Sequence, residues 1–249
     1  MKSKTSFLFR QSIGCLIILV IWQWAGMSLG DIMLAPPSAV AAEFIVVLGD
    51  SHFWMAVLEM MKQLIAGYVL ALIVGIPLGT MMGRSWIVMS VVKPWASMFI
   101  VISAAALVPL FILILGRGAL MCVSIVFVGT LWYVVTTMQQ AAKNISTEFI
   151  NVGRSFGAGR VHLFRMIILP ALFPYVMISA RIGFTHALRA MITAQMFIST
   201  GFGGLINDAG LDMTTAPLFS LIVTLMLISV LTNYIIGLIA GYCAPWYSK

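Results

Sequence analysis

Acidic residues are scarce: Asp and Glu together number 7 in 249 residues, against 14 Lys and Arg, and charged residues of all types make up only 8% of the chain. A soluble domain carries roughly 25% charged residues. So few charges cannot cover a water-facing surface, which excludes an ordinary soluble enzyme or binding module. Cysteine is nearly absent as well. Cys15, Cys122 and Cys243 lie in apolar segments, without the spacing of a metal site or a disulfide framework. There is no Gly-x-x-x-x-Gly-Lys-Ser/Thr phosphate loop, and no residue is assigned a catalytic role. The ten-residue alternation of apolar and polar side chains that marks a membrane barrel is missing too.

What the chain does have is apolar length. Hydrophobic residues make up 62% of it. At about 20 apolar residues per spanning helix, 249 residues accommodate about five to seven spans. The net charge of +7 does not point to nucleic acid, because the charges sit singly between apolar runs. Cytoplasmic loops of membrane proteins carry such an excess of Lys and Arg. The bilayer is the expected surrounding. Lys2, Lys4 and Arg10 followed by an apolar run resemble a secretory signal, but Leu16 to Trp22 is bulky and no small-residue cleavage site follows. The first run is expected to remain as a span.

The pattern predicts six transmembrane helices. Span one covers Ile13 to Leu29, and a loop with Asp31, Pro37, Glu43 and Asp50 follows. Span two ends near Gly83, with Glu59 and Lys62 at its start spaced to pair across one turn. Arg84 to Lys93 is expected as a short loop, Pro94 to Gly116 as span three and Gly118 to Gln139 as span four. Gln140 to Arg165 is the only long polar stretch. Span five follows Pro170 and reaches Thr200, a glycine-rich turn covers Gly201 to Gly204, and span six covers Ala216 to Ala240. With both termini cytoplasmic, Lys2, Lys4, Arg10, Arg84, Lys93, Lys143, Arg154, Arg160, Arg165 and Lys249 lie inside, while Asp31, Glu43, Asp50, Asp208 and Asp212 lie outside. This follows the positive-inside rule.

The segment Asn151-Val-Gly-Arg-Ser-Phe-Gly157-Ala-Gly-Arg-Val-His-Leu-Phe-Arg-Met-Ile-Ile-Leu169-Pro170 is basic and partly apolar. It predicts a turn at Gly157-Ala-Gly159, then a short helix from Arg160 to Arg165 presenting Val161, Leu163 and Phe164. Pro170 opens the next span, where its missing N–H costs least. A short helix held at the cytoplasmic surface between two spans is placed to dock a soluble partner.

This segment resembles the cytoplasmic coupling loop of permease subunits of binding-protein-dependent ATP-binding-cassette importers. Gly157, Ile167, Leu169 and Pro170 match that loop's spacing, and Asn151-Val152-Gly153 replaces its acidic-alanine-alanine opening. The nitrate, sulfonate and taurine branch of the family is also similar elsewhere: at Leu34-Ala-Pro-Pro37-Ser38, Val69 to Gly79, Leu107-Val-Pro109-Leu110, Ala180-Arg181-Ile182-Gly183, Ala194-Gln195-Met196 and Gly201-Phe-Gly203. The family usually has Glu where Gln195 stands. The resemblance implies an all-α polytopic membrane protein in the bacterial inner membrane, with a single transmembrane domain over residues 1–249, a core over 53–240 and a coupling loop over 140–170. It implies no cofactor in this chain, since ATP and Mg are bound by a partner ATPase. It also implies a second permease chain, identical or related, and an external substrate-binding protein. On this reading Asn151, Gly157, Ala158, Arg160, Leu163, Phe164, Leu169 and Pro170 couple the chain to the ATPase.

Charges inside a span cost roughly 2.5–3.5 kcal/mol on insertion scales. Arg181, His186, Arg189 and Gln195 lie in span five with spacings that allow one shared face. Their functional reading is the lining of a translocation path that favours an anion. The structural reading pairs Arg181 with a backbone carbonyl or a neighbouring helix. The 18 methionines are core and lipid-facing filler. Two competing functions fit less well. An ion-coupled secondary carrier usually shows intramembrane carboxylates, and Glu59 is the only acid near a span. An intramembrane enzyme using Ser199 and His186 would rest on a spacing of thirteen residues, which is not a known catalytic arrangement. The expected cargo is a small anionic nutrient such as a sulfonate, nitrate or an aromatic acid, or a vitamin precursor.

Overall fold

The computed structural model describes residues 2–30, 33–145 and 147–243. The side chains of residues 2–12, 147, 149, 150, 160, 161, 164, 242 and 243 lie outside the described set. The expectations for Asp31 and Lys249, for the side chains of Lys2, Lys4, Arg10 and Arg160, and for the docking contacts of Val161 and Phe164 therefore fall outside it.

Every element among the described residues is helical. In order they are α1 (Lys2–Leu29), α2 (Pro37–Gly49), α3 (Ser51–Arg84), α4 (Trp86–Val101), α5 (Ala104–Leu115), α6 (Ala119–Lys143), α7 (Thr147–Ser155) and α8 (Arg160–Leu163). A π-helical turn (Phe164–Ile168) then leads into α9 (Leu169–Ile198), followed by α10 (Gly201–Leu211) and α11 (Thr215–Cys243). Helices suit a chain whose backbone polar groups must be satisfied without water.

Among the described residues, four helices are long and apolar enough to cross a membrane: α3, α6, α9 with its preceding turn, and α11. The pair α4–α5 makes a fifth if it counts as one broken span. The apolar part of α1, Ile13–Leu29, is shorter than these.

Three expectations need correction. Pro37 opens a helix instead of lying in a loop: it is the first residue of α2, where a proline's fixed φ is already helical. The expected loop from Arg84 to Lys93 is the first half of α4, which Ser85 caps by accepting the Val88 N–H. The expected turn at Gly201 to Gly204 is the first turn of α10.

Span three is also different in kind. It is two helices bent by 102°. Ile102 and Ser103 are extended, and Ser103 starts α5 afresh by accepting the Ala105 N–H at 3.3 Å. Neither Pro94 nor Pro109 makes the bend, since each lies inside a helix.

The core of the molecule is α3, α6 and α9. Along α3, Gly67, Gly75, Gly79 and Gly83 face α6 so closely that a Cβ on Gly67 would lie 2.6 Å from the Val123 carbonyl. Gly67 meets Val123 and Val126, whereas Gly83 meets Gln139 and Ala142, so α3 and α6 run parallel. Gly129 meets Ala190 and Gly183 meets Val134, so α9 runs antiparallel to α6. Spans of this kind associate by close packing and interhelical hydrogen bonds, because lipid tails remove the hydrophobic drive between them. The Tyr68 hydroxyl ties α3 to α9 by donating to the Ala180 carbonyl at 2.9 Å. By contrast, α11 buries little of its surface, as lipid contact requires.

Candidate translocation site and coupling loop

The break between α4 and α5 lies against the middle of the bundle. Ala104, the first residue of α5, packs near Gly129 of α6. Irregular backbone at membrane depth is tolerated where it is enclosed by protein or lines a water-filled cavity. A cavity of about 240 Å³, open on one side to the surface of the bundle, lies at the break, lined among others by Phe99, Ser103, Tyr133, His186, Arg189 and Thr193. Helix α9 supplies His186 and Arg189 one turn apart, so both reach the same space. The His186 ring stacks on Tyr133 of α6, with centroids 3.4 Å apart and planes at 11°. The Tyr133 hydroxyl donates toward the Ile100 carbonyl at 3.5 Å, at the end of α4. Thr193 donates its hydroxyl to the Arg189 carbonyl, and the exposed Arg189 lines the cavity. Glu59 is engaged elsewhere: it accepts the Gln63 amide at 3.0 Å and borders a separate cavity with Lys62. Its expected pairing with Lys62 gives way to that hydrogen bond.

Of the four residues expected on one face of span five, the structure brings two together. Arg181 lies away from the cavity, with its guanidinium against Gly237 of α11. Gln195 is 1% exposed, and its Oε1 accepts the Gly203 N–H at 3.1 Å. It therefore fastens α10 onto α9. Ser199 accepts from the Asn207 amide and lies about 20 Å along the helix axis from His186, which leaves no catalytic pair. Phe99, Ser103 and Tyr133 escaped the sequence reading. Their signal was faint: an aromatic pair Trp132-Tyr133, and a serine between Val101-Ile102 and Ala104-Ala-Ala106.

The polar stretch after α6 folds locally. Helix α7 ends in a Schellman motif: the Ala158 N–H donates to the Gly153 carbonyl at 3.1 Å, and the Gly157 N–H donates to Arg154 at 2.9 Å. Gly157 occupies the left-handed position with φ of +76°, where a side chain is strained. Helix α8 then continues through the π-helical turn into α9, so the expected helix from Arg160 to Arg165 is a single α-turn followed by a wider one.

Leu163 is not presented outward. It is 5% exposed and packs with Met138, Ala142 and Leu172, because α7 crosses closely over it at Gly153. Ala158 also packs against that cluster. Asn151 is exposed, and its carbonyl accepts the Ser155 hydroxyl. Leu169 and Pro170 are exposed at the start of α9. Among the described residues, the exposed apolar side chains of the loop also include Val152, Met166 and, above all, Phe156 at 87% exposure. Phe156 and Met166 border a groove of about 510 Å³ with His162. Among the described residues, no cluster of His, Cys, Asp or Glu could hold a metal.

The chain is 22% identical to the taurine transport system permease protein of Escherichia coli, over 96% of this chain and 90% of that one. It is 21% identical to the nitrate import permease protein of Synechocystis, over 100% and 95%. Its fold matches the MetNI methionine ABC transporter in an inward-facing conformation with a TM-score of 0.66, at 17% identity, covering 80% of this chain and 97% of that one. The model of the family described as binding-protein-dependent transport system inner membrane component matches residues 71–241, well over half of the chain. That match takes in the parallel α3–α6 seam from Ala71 onward, the broken α4–α5 pair, the polar stretch after α6, and α9. The chain belongs to that family, as a permease of the inner membrane in ATP-binding-cassette import.

Proposed function

We propose that this chain carries a small anionic nutrient across the membrane through the cavity at the α4–α5 break, driven by an ATPase seated on the coupling loop. In this reading two permease chains, identical or related, pair across the path. Each seats one ATPase subunit, and an external binding protein delivers the cargo. Six spans with cytoplasmic termini complete the arrangement, the coupling loop of residues 140–170 facing the ATPase. The family replaces the ion-coupled carrier as the functional class.

One observation carries the reading of the cargo. Arg189 faces a cavity in the bundle without a carboxylate lining it. An unpaired guanidinium at that depth costs too much to be incidental. Its planar fork of five donors suits carboxylate, sulfonate or nitrate oxygens. The relatives named for taurine and nitrate support an oxyanion. Arg181 and Gln195 serve the path indirectly in this reading, by holding α11 and α10 against α9. On the loop, the exposed Phe156 joins Asn151, Arg160, Phe164, Leu169 and Pro170 as the surface met by the ATPase, with Gly157, Ala158 and Leu163 shaping it from within.

The test is uptake per assembled complex. Arg189→Ala is expected to lower uptake of the anionic substrate by about tenfold or more, the scale of a lost charge-assisted hydrogen bond, while protein level and basal ATPase activity hold. Arg189→Lys recovers part of the loss, since it restores charge without the fork. Normal transport by Arg189→Ala, or its failure to assemble, would show that Arg189 is structural.

A further inference from the structure

The cavity that Arg189 lines also carries aromatic rings. They come from three helices: Phe99 from α4, Tyr133 from α6 and His186 from α9. Two of these rings are stacked on each other. Phe99 is itself stacked on Trp132, with centroids 5.2 Å apart and planes at 10°. The ring wall is therefore held before any ligand arrives. Aromatic side chains offer a large contact area and specific stacking geometry, neither of which a bare oxyanion uses.

Volume separates the candidates. A water occupies about 30 Å³ of liquid, so a nitrate of four heavy atoms would leave most of the roughly 240 Å³ filled with water. An apolar cavity of about 150 Å³ is enough to take benzene. The space at the α4–α5 break is large enough for one ring with an acid group attached. Polar donors line the same cavity as the rings. Arg189 presents its guanidinium to the cavity. Ser103 uses an oxygen lone pair to accept from Ala105, which leaves its hydroxyl proton free to donate. Thr193 has spent its proton on the Arg189 carbonyl.

Resting on the reading of this cavity as the anion path, we propose that its cargo is a single-ring aromatic carboxylate or sulfonate. The ring lies along Phe99, Tyr133 and His186, and the acid group meets Arg189 and Ser103. The same wall discriminates against nitrate and against aliphatic sulfonates such as taurine, which offer no face to stack.

The test uses the permease purified with its ATPase subunits in lipid nanodiscs. Saturation-transfer NMR detects weak binding of benzenesulfonate, with nitrate and taurine as competitors. Saturation transfer to benzenesulfonate is expected, with nitrate and taurine failing to displace it at equal concentration. Tyr133→Phe keeps the ring and should lose less binding than Tyr133→Leu. Tyr133→Leu removes the ring while keeping bulk and should weaken binding about fivefold, the scale of one aromatic pair. Arg189→Ala should abolish it. Binding unchanged in Tyr133→Leu, in complexes retaining their ATPase, overturns the aromatic assignment, as does equal displacement by nitrate. Binding unchanged in Arg189→Ala overturns the anion path itself. If Tyr133→Leu fails to assemble, Phe99→Leu tests the same wall.

Discussion

Arg189 and Gln195 lie six residues apart on one helix and meet different neighbours. Arg189 faces a cavity, whereas Gln195 is sealed between α9 and α10 with its Oε1 on the Gly203 N–H. A buried N–H that loses its acceptor costs about 1–3 kcal/mol. Gln195→Ala is therefore expected to lower the thermal midpoint of the purified complex while leaving substrate preference unchanged. Gln195→Glu keeps the acceptor oxygen and the shape of the side chain, so it should retain more of the assembly than Gln195→Ala. A change of preference in Gln195→Ala at unchanged midpoint would instead assign the residue to the path. Both residues are polar positions in an apolar span, and their spacing is readable in the sequence. Which one faces open space depends on where α10 folds back, and no local signal carries that.

At the scale of elements, the seam between α3 and α6 and the end of α7 are both set by glycine. Gly67→Leu would drive a side chain into the Val123 carbonyl and the Val126 side chain. Overpacking of this kind typically costs about 1–3 kcal/mol. A reduced yield of folded permease in detergent is the expected result, and wild-type yield and midpoint would show that the seam can open. Gly157 acts on a smaller element. A side chain at φ of +76° is strained, and the Schellman end of α7 should loosen. Gly157→Asp is expected to insert normally yet hydrolyse ATP without transport, as measured by paired ATPase and uptake assays. Normal uptake in that variant would remove the loop from coupling. The loop's glycine was legible from its spacing to Leu169-Pro170, whereas α7 was not. Its pattern is short, and only its packing over Leu163 makes it a helix worth keeping.

For the whole molecule, charge asymmetry predicts which side each loop faces. A single cysteine at position 143, at the end of α6, should react with a membrane-impermeant thiol reagent only from the cytoplasmic side. Labelling from outside intact cells would overturn the orientation. The helix directions agree with the alternation behind that prediction: α3 and α6 run parallel and α9 runs against them.

By itself the sequence determined the medium and the class of this protein. So few charges over so long an apolar chain leave no fold but membrane helices. The spacing of Gly157, Ile167, Leu169 and Pro170 marked a permease loop. These are properties of composition and of short segments, where each residue speaks for its own neighbourhood. Tertiary structure decided the rest. The bend at Ile102–Ser103 has no helix-breaking proline, and it becomes visible only as two helices with a cavity at their junction. Tyr133 and His186 are 53 residues apart, and only the antiparallel contact of α6 with α9 stacks their rings. Leu163, expected outside, turns inward because α7 crosses above it, and Phe156 takes the exposed position. Each of these depends on which helix packs against which, a non-local choice that a linear pattern of apolar residues leaves open.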